Sequence, residues 1–597
     1  MVDLCEHLPL ALRLMANRWR QHPAWTLDDV IRDLESARDR VAAIGYGSES
    51  GLAAVFDASL QGLGGPARAA FLRLGLHPTP AFGTGAAAAL MGEEAPTAQR
   101  RLEELADASL IEEPQAHRYT MHALLAEFAR NRAEADLPPL ERHGAVGRVV
   151  DYYLGAVDAA DRARFPHRHR LAVRLTHPVG LPTFASPAEA ASWFLKERPV
   201  LLSVAAYAGK DRFRPQAAAL THALAGFLTT YGPLATAIDL HHRAVEIRRE
   251  QDDAEALAHA LLDLGQAHLL GGRAARALRF ARETLRLDRA ARDVVGKARA
   301  LDQIGRVHLK SGRFRDALAH HERALDLVQH SEHLGITADC LVNAATCKAE
   351  LGDTTAAVSL LTSALSKYQE LGDPTGRARA ESNLAGVYKA VGRHREAAYL
   401  AEQAATHFAE VHDKRATGRI LGNLGELLAY KQQHEHALLR YTEALALHRS
   451  TFDREAEAMT LCNTGRAHLA LGATAAAMEH LTASARLADE AGLAAVAVEV
   501  HVELGDAHGA AGEPETATKH YQRAHESASD LGRPYLAARA LAGWGRLALQ
   551  QERRHEARRL LQRAHALLAR VGSPEAGELA LFIDLAAEIQ QITTEAS

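Results

Sequence analysis

Residues 265–304 read GQAHLLGGRAARALRFARETLRLDRAARDVVGKARALDQI, and residues 305–344 read GRVHLKSGRFRDALAHHERALDLVQHSEHLGITADCLVNA. Written one above the other, they share few residues overall but keep a fixed set of small ones. Gly265 aligns with Gly305, Gly272 with Gly312, and Ala277 with Ala317. The first column continues every 40 residues, without insertion, through Ala345, Ala385, Gly425, Gly465, Gly505 and Gly545. Seven residues on stand Gly352, Gly392, Gly472 and Gly512, with Gln432 and Glu552 as departures. Twelve residues on, Ala357, Ala397, Ala437, Ala477, Ala517 and Ala557 complete the alanine column. Ala225, Gly232 and Ala237 carry the pattern one period back, making nine repeats from about residue 215 to 574.

Each column has a physical reading. A glycine at +7 ends a helix, because the residue after the C-cap often needs positive φ. The small residues at 0 and +12 lie on successive helices where their axes approach closely. Small residues at +19 (Ala324, Ala364, Ala404, Ala444, Ser484, Ala524, Ala564) let the second helix meet the next repeat. Gly372, Gly492, Gly532 and Gly572 stop that second helix, and Pro374, Pro534 and Pro574 follow two residues later, where proline opens a new helix rather than continuing the old one. Each period is therefore a helix hairpin, and stacked hairpins make a solenoid.

This spacing resembles the tetratricopeptide repeat, in the 40-residue, longer-helix form of scaffold and regulator proteins. The resemblance implies an all-α fold: a right-handed superhelix of about nine hairpins with a capping helix over Pro574–Ile592, preceded by a helical and winged-helix region with a small β-hairpin. It also implies protein or peptide binding, and fold alone says nothing finer.

The remaining composition excludes several classes. The 597 residues are 47% hydrophobic, and 69 basic against 74 acidic residues leave a net charge of −5. That is too apolar for wholesale disorder and too acidic for a non-specific nucleic-acid binder. No apolar run reaches the length of a membrane span, and the N-terminus has no basic region ahead of its apolar residues. Four scattered cysteines make no disulfide framework and no zinc set. A cytoplasmic protein without metal or cofactor is expected. Neither H-E-x-x-H nor G-x-S-x-G occurs, so no catalytic residues are assigned and the protein reads as a non-enzyme. Of the 33 histidines, His268, His308, His468 and His508 fall at +3 of their repeats, where packing explains them.

Four segments are expected: a helical remnant over 1–60, a winged-helix-like domain over 61–135, a helical linker over 136–214, and the repeat array with its cap over 215–597. Helices are predicted at Pro66–Gly75, Gly85–Met91 and Thr97–Ala108, then strands at Leu110–Glu113 and Arg118–Met121. In a winged helix the third helix reads DNA. Here Arg100 and Arg101 face Glu103, Glu104 and Asp107, and residues 1–135 hold thirteen arginines, no lysine and eighteen acidic residues. That surface repels phosphates, so direct nucleic-acid binding is not expected.

His7-Leu8-Pro9-Leu10-Ala11-Leu12 and Tyr119-Thr120-Met121-His122-Ala123-Leu124-Leu125 resemble the GLPL and MHD motifs of the STAND (NB-ARC) signalling ATPases. With Ala188–Val204 as linker helix, the arrangement is most similar to antibiotic-regulator proteins of the AfsR type. The resemblance implies vestigial nucleotide contacts: Pro9 near an adenine and His122 near an ADP β-phosphate. His7 replaces the motif glycine and Ala123 the aspartate, and no G-x-x-x-x-G-K-[ST] string exists to hold phosphate. Pro9 also reads as a helix-opening proline, and His122 as a packing residue between hairpin and helix.

The binding face is read from offsets −6, −2, +1 and +5 of the first helices, which share one side. The −2 column runs Asp263, Gln303, Asn343, Asn383, Asn423, Asn463, Glu503. Four successive asparagines form a row of amides, each able to donate and accept. The −6 column adds Arg299, Arg379, Arg419 and Arg539, and +1 adds Arg306, Arg466 and Arg546, opposed by Asp339, Glu426, Glu499 and Asp506. The expected site is a peptide-binding groove over residues 299–466, holding an extended, partly acidic protein segment. The asparagines read equally as inter-helix hydrogen-bonding residues, and the arginines as solvated surface. The function expected is a non-enzymatic regulatory binding module in signalling or transcriptional control. The alternative is part of an ADP/ATP-switched regulator whose P-loop core lies upstream or is supplied in trans.

Overall fold

A computed structural model describes residues 9–32, 51–177, 180–209, 213–330, 332–570, 575–577 and 579–580. His7, most of the expected capping helix and the middle of the 1–60 segment lie outside the described residues. Among the described residues, no helix is long and apolar enough to cross a membrane. The chain divides into two compact units, Met1–Gln303 and Ile304–Ser597, parting within the first helix of the Gly305 repeat.

The N-terminal unit begins with α1 (Pro9–Gln21), α2 (Gly51–Gln61) and α3 (Gly65–Leu74). Then come β1 (Ala81–Gly83), α4 (Thr84–Met91), α5 (Ala95–Asp107), the hairpin β2 (Glu112–Gln115) and β3 (Arg118–Thr120), and α6 (Ala123–Asp136). The predicted helices are thus present, and the hairpin gains a third strand: the sheet order is β1-β3-β2, all antiparallel. Phe82 on β1 sits opposite Tyr119 on β3, both buried and stacked with ring centroids 6.4 Å apart. That pair seals the sheet onto the core, whereas all of β2 is exposed. A Cβ on Gly75 would lie 2.4 Å from the backbone of Ala129, so glycine there lets α3 end directly against α6.

Two long helices follow, α7 (Pro139–Arg164) and α8 (Pro187–Ala208). Val149, Val150, Tyr153, Leu154 and Val157 bury α7 in the main core of this unit. The chain between them has neither helix nor strand among its described residues. At the start of α8, the Ser186 hydroxyl accepts from the Glu189 N–H at 3.1 Å, and the Glu189 carboxylate accepts from the Ala185 N–H at 2.7 Å. This reciprocal cap satisfies two otherwise open donors. The first helix of the Ala225 repeat is not continuous: it breaks at Leu224 into Arg214–Ala223 and Ala225–Tyr231.

The C-terminal unit is built of tandem helix hairpins stacked as in a tetratricopeptide-repeat solenoid, and the described residues are all-α apart from one small sheet. First helices such as Lys414–Tyr430 and Arg454–Ala470 each span 17 residues, from −11 to +5, and second helices begin at +9, as in His434–Thr451. Asp373, Asp413 and Asp453 cap first helices by accepting from backbone N–H groups two to three residues on, a standard N-cap arrangement. This aspartate column at −12 is absent from the expectations above. The +7 glycines from Gly272 to Gly512 take positive φ, whereas Gly232 is extended (φ −81°), and the two departures, Gln432 (φ 61°) and Glu552 (φ 60°), are left-handed as well. The turn geometry therefore survives without glycine, at a steric cost of about 1–2 kcal/mol each.

The column at 0 has a more specific cause than close helix approach. A Cβ on Gly425 would lie 2.4 Å from the Tyr441 ring, one on Gly465 2.6 Å from Leu481, and one on Gly505 2.6 Å from the Tyr521 ring. In each case the intruding side chain stands at +16, on the second helix of the same repeat. Where position 0 is alanine, as at Ala345 and Ala385, the +16 residues are Leu361 and Ala401. The +12 alanines, Ala317 through Ala557, have no exposed surface.

Candidate functional site

The −6, −2 and +1 side chains of successive first helices come together in the C-terminal unit, but they are not equivalent from repeat to repeat. Asn343, Asn383 and Asn423 are half-buried. The Asn383 amide donates at 3.1 Å to the carbonyl of Arg379, one turn back on its own helix. Asn463 is buried: its Nδ2 donates to Glu426 Oε1 at 2.9 Å, and its Oδ1 accepts from Arg466 at 2.7 Å.

From the Ala385 repeat onward, a chain of charged contacts crosses one repeat boundary after another. Lys389 pairs with Glu426, Glu426 accepts from Asn463, and Arg466 and Arg539 flank Glu503 at 3.7 and 2.9 Å. Burial pushes the Glu503 carboxyl up against the pull of Arg466 and Arg539. Burial also opposes the Arg466 cation, yet Glu503 and the neighbouring acidic groups raise its pKa overall. Asp506 accepts from the Tyr521 hydroxyl at 2.6 Å. Asp339 serves the Ala345 and Ala385 repeats together, accepting from Tyr368 Oη at 2.6 Å and pairing with Arg379.

Arg379 and Arg466 are therefore engaged with residues of the chain. Arg306 and Arg419 form no ion pair among the described residues, and Arg419 is exposed. In the N-terminal unit, Gln303 is buried and donates to the Leu262 carbonyl at 2.8 Å, while Arg299 reaches His259 and His169. The asparagines that keep exposed surface narrow to those of the Ala345, Ala385 and Gly425 repeats. Gly386, at +1 between them, lies in a helix interior with no atom within 4 Å of where its Cβ would be.

Three of the four +3 histidines stack on a second-helix histidine at +15, His308 on His320, His468 on His480 and His508 on His520, with centroids 5.3, 5.3 and 5.1 Å apart, and His268 stacks on Phe280 at the same offset. They are packing partners within hairpins. Cys340, Cys347 and Cys462 are buried cysteines, and no group of three or more His, Cys, Asp or Glu residues suited to a metal occurs among the described residues. Pro9 is exposed and opens α1. His122 is exposed and caps α6, its Nδ1 accepting from the Leu124 N–H at 3.3 Å.

Residues missed from sequence are Lys389, Tyr368, Tyr441 and Tyr521. They stand at +4, +23 and +16, outside the −6, −2, +1 and +5 offsets from which the face was read, so nothing in those columns signalled them.

The tetratricopeptide repeat family matches residues 296–370 and 376–450. The chain is 28% identical over 478 residues to the regulatory protein AfsR of Streptomyces griseus, covering 78% of this chain and 43% of that protein. It is 28% identical over 378 residues to AfsR of Streptomyces coelicolor, covering 62% of this chain and 38% of that protein. The chain thus spans less than half the length of these relatives. Among solved structures, a Rap protein complexed with competence and sporulation factor aligns with a TM-score of 0.48 and 14% identity, over 60% of this chain and 98% of that one.

Proposed function

We propose that this tetratricopeptide-repeat chain, similar to the AfsR regulators, is a non-enzymatic regulatory module that holds an extended, partly acidic segment of another protein. The supporting observation is a contrast along one face. In the Gly465 and Gly505 repeats, Asn463 and Glu503 are buried and bonded to neighbouring repeats. In the Ala345, Ala385 and Gly425 repeats, Asn343, Asn383 and Asn423 keep exposed surface, and Arg419 stands beside them in sequence offset without an ionic partner among the described residues. Amides of this kind grip a peptide backbone through paired donor and acceptor, and a free guanidinium favours a carboxylate.

Capture of the partner by the full chain, followed by calorimetry on Asn383→Ala/Asn423→Ala, tests this reading. Two lost hydrogen bonds at about 1 kcal/mol each predict roughly thirtyfold weaker binding. Unchanged affinity removes the face assignment.

The segment 61–135 fits a winged-helix reading, supported by its order of helices and the three-stranded sheet, with 136–214 as linker and 215–597 as the array. Its acidic balance argues for a structural role rather than DNA contact, in a cytoplasmic setting. The similarity to regulators of which this chain covers less than half favours a second reading, as part of a nucleotide-switched regulator whose P-loop core is supplied by another segment. In it, Pro9 and His122 are vestigial contacts, and tight ADP binding by the chain is its test.

A further inference from the structure

The segment between α7 and α8 crosses the first repeats on the offsets that elsewhere carry the asparagine row. Asp161, fully buried on α7, accepts from Arg168 Nε at 3.1 and 3.0 Å and pairs with Arg170. From that anchor the next residues reach the repeats. Arg168 donates to the His222 carbonyl at 3.0 Å, near the end of the helix Arg214–Ala223. The Leu171 N–H donates to His222 Nε2 at 3.4 Å, while His222 Nδ1 bonds Asp263 at 2.6 Å. The His169 ring stacks on His259 with centroids 5.0 Å apart and planes 22° apart. Arg299 bonds His169 Nδ1 at 3.4 Å and His259 at 3.2 Å.

His259 and Arg299 are the −6 residues of two successive repeats, and Asp263 is the −2 residue between them. A backbone N–H, a stacked ring and a guanidinium on a carbonyl are what an extended peptide offers a helical face. Pro166, Ala172 and Arg174 are exposed, and the contacts of residues 168–171 are polar. Beyond them, Asp151 on α7 accepts from the backbone N–H groups of Thr176 and His177, both at 2.9 Å. The segment is thus tied at both ends to α7, and its middle rests on the repeats.

We propose that Arg168–Leu171 is a built-in ligand, and that the −6/−2 face of the Gly265 and Gly305 repeats up to Gln303 takes an extended, arginine- and histidine-bearing peptide once this segment leaves. The inference rests on the reading that these offsets face ligands. It places the chain's own basic segment where a partner's would sit, and makes access to that end of the face competitive. The tether raises the local concentration of the internal segment to the millimolar range, so a free peptide competes only when the segment is detached.

The probe is a fluorescein-labelled peptide of residues 165–177, FPHRHRLAVRLTH, read by anisotropy against the full chain. With Arg168–Leu171 replaced by Gly-Gly-Ser-Gly, binding is expected in the micromolar range, at least about tenfold tighter than to the unaltered chain. Adding His259→Ala and Asp263→Asn is expected to abolish it. Protection of helix Ala254–Leu270 in hydrogen exchange verifies that the repeats remain folded. If the replacement does not fold, His169→Ala with Leu171→Pro, which removes the ring stack and the N–H bond but leaves Arg168 and Arg170 on Asp161, gives the same comparison. Equal binding to both forms, or binding to neither, overturns the proposal. The Asn383/Asn423 calorimetry reads side chains of the C-terminal unit, so either reading can fail alone.

Discussion

Alanine at Gly505 is the sharpest test of why the repeats keep a small residue at position 0. The new methyl would lie 2.6, 2.7 and 2.8 Å from three carbons of the Tyr521 ring, well inside the 3.5–4.0 Å of ordinary carbon contact. The ring is held in place: its hydroxyl is bonded to Asp506 at 2.6 Å, and the same ring edge, at Cε1, lies 2.5 Å from where a Cβ on Gly543 would stand. Overpacking of this kind costs about 3 kcal/mol at the upper end, against about 1 kcal/mol gained in helix propensity. The net expectation is about 2 kcal/mol of destabilisation in the Gly505 repeat. Gly386→Ala is the control: the same change, also mid-helix, with no atom in the way, is expected to stabilise by about 1 kcal/mol. Because arrays open by parts, the assay is native-state hydrogen exchange of helices Ala494–Ala510 and Pro374–Ala390, alongside urea midpoints. Combining Gly505→Ala with Tyr521→Ala recreates the Ala385/Ala401 pair and should abolish the clash in a double-mutant cycle. If Gly505→Ala proves as benign as Gly386→Ala, the steric account of the column is wrong.

Three further outcomes follow from the geometry. Glu503→Ala leaves the Arg466 and Arg539 cations facing each other without their carboxylate; with both arginines partly exposed, a loss of about 2 kcal/mol is expected in thermal or urea unfolding. His77 and His241 are buried and neutral, burial lowering each pKa from 6.5 to about 4. Their stabilisation is complete above pH 6.5 and is lost as pH falls toward 4, about 2 kcal/mol each by pH 5; a urea midpoint that stays flat from pH 7.5 to 5 contradicts this. Gln432→Gly relieves a left-handed residue (φ 61°) and should stabilise the Gly425 repeat by about 1 kcal/mol, read as slower exchange in His434–Thr451.

Most of the fold is legible in the sequence, because the glycine and proline columns act on the backbone, and backbone demands recur identically in every repeat. What filled position 0 was not legible. The +16 residue changes from His321 to Tyr441, Leu481 and Tyr521, so its contact with position 0 does not appear as a column of identities. Strand β1 was also missed, since three residues with one buried phenylalanine carry no alternation. At the candidate site, the asparagine row was visible as a column, and the offsets placed it on one face. Its closure at Asn463 was not visible, because it depends on a neighbour 37 residues away rather than 40. Lys389 meets Glu426 across the same 37 residues. A three-residue stagger sets +1 of one repeat beside −2 of the next, and it arises from how adjacent helices lean, not from the period.

That stagger limits how such a chain can grow by gene duplication. A second copy of the Gly505 cassette placed after the first would seat Asp506 beside the copy's Glu503, two carboxylates where the present junction sets Arg466 against Glu503. Every new seam would need its charges retuned before it closed, so modules that look interchangeable in outline are individually addressed to their neighbours.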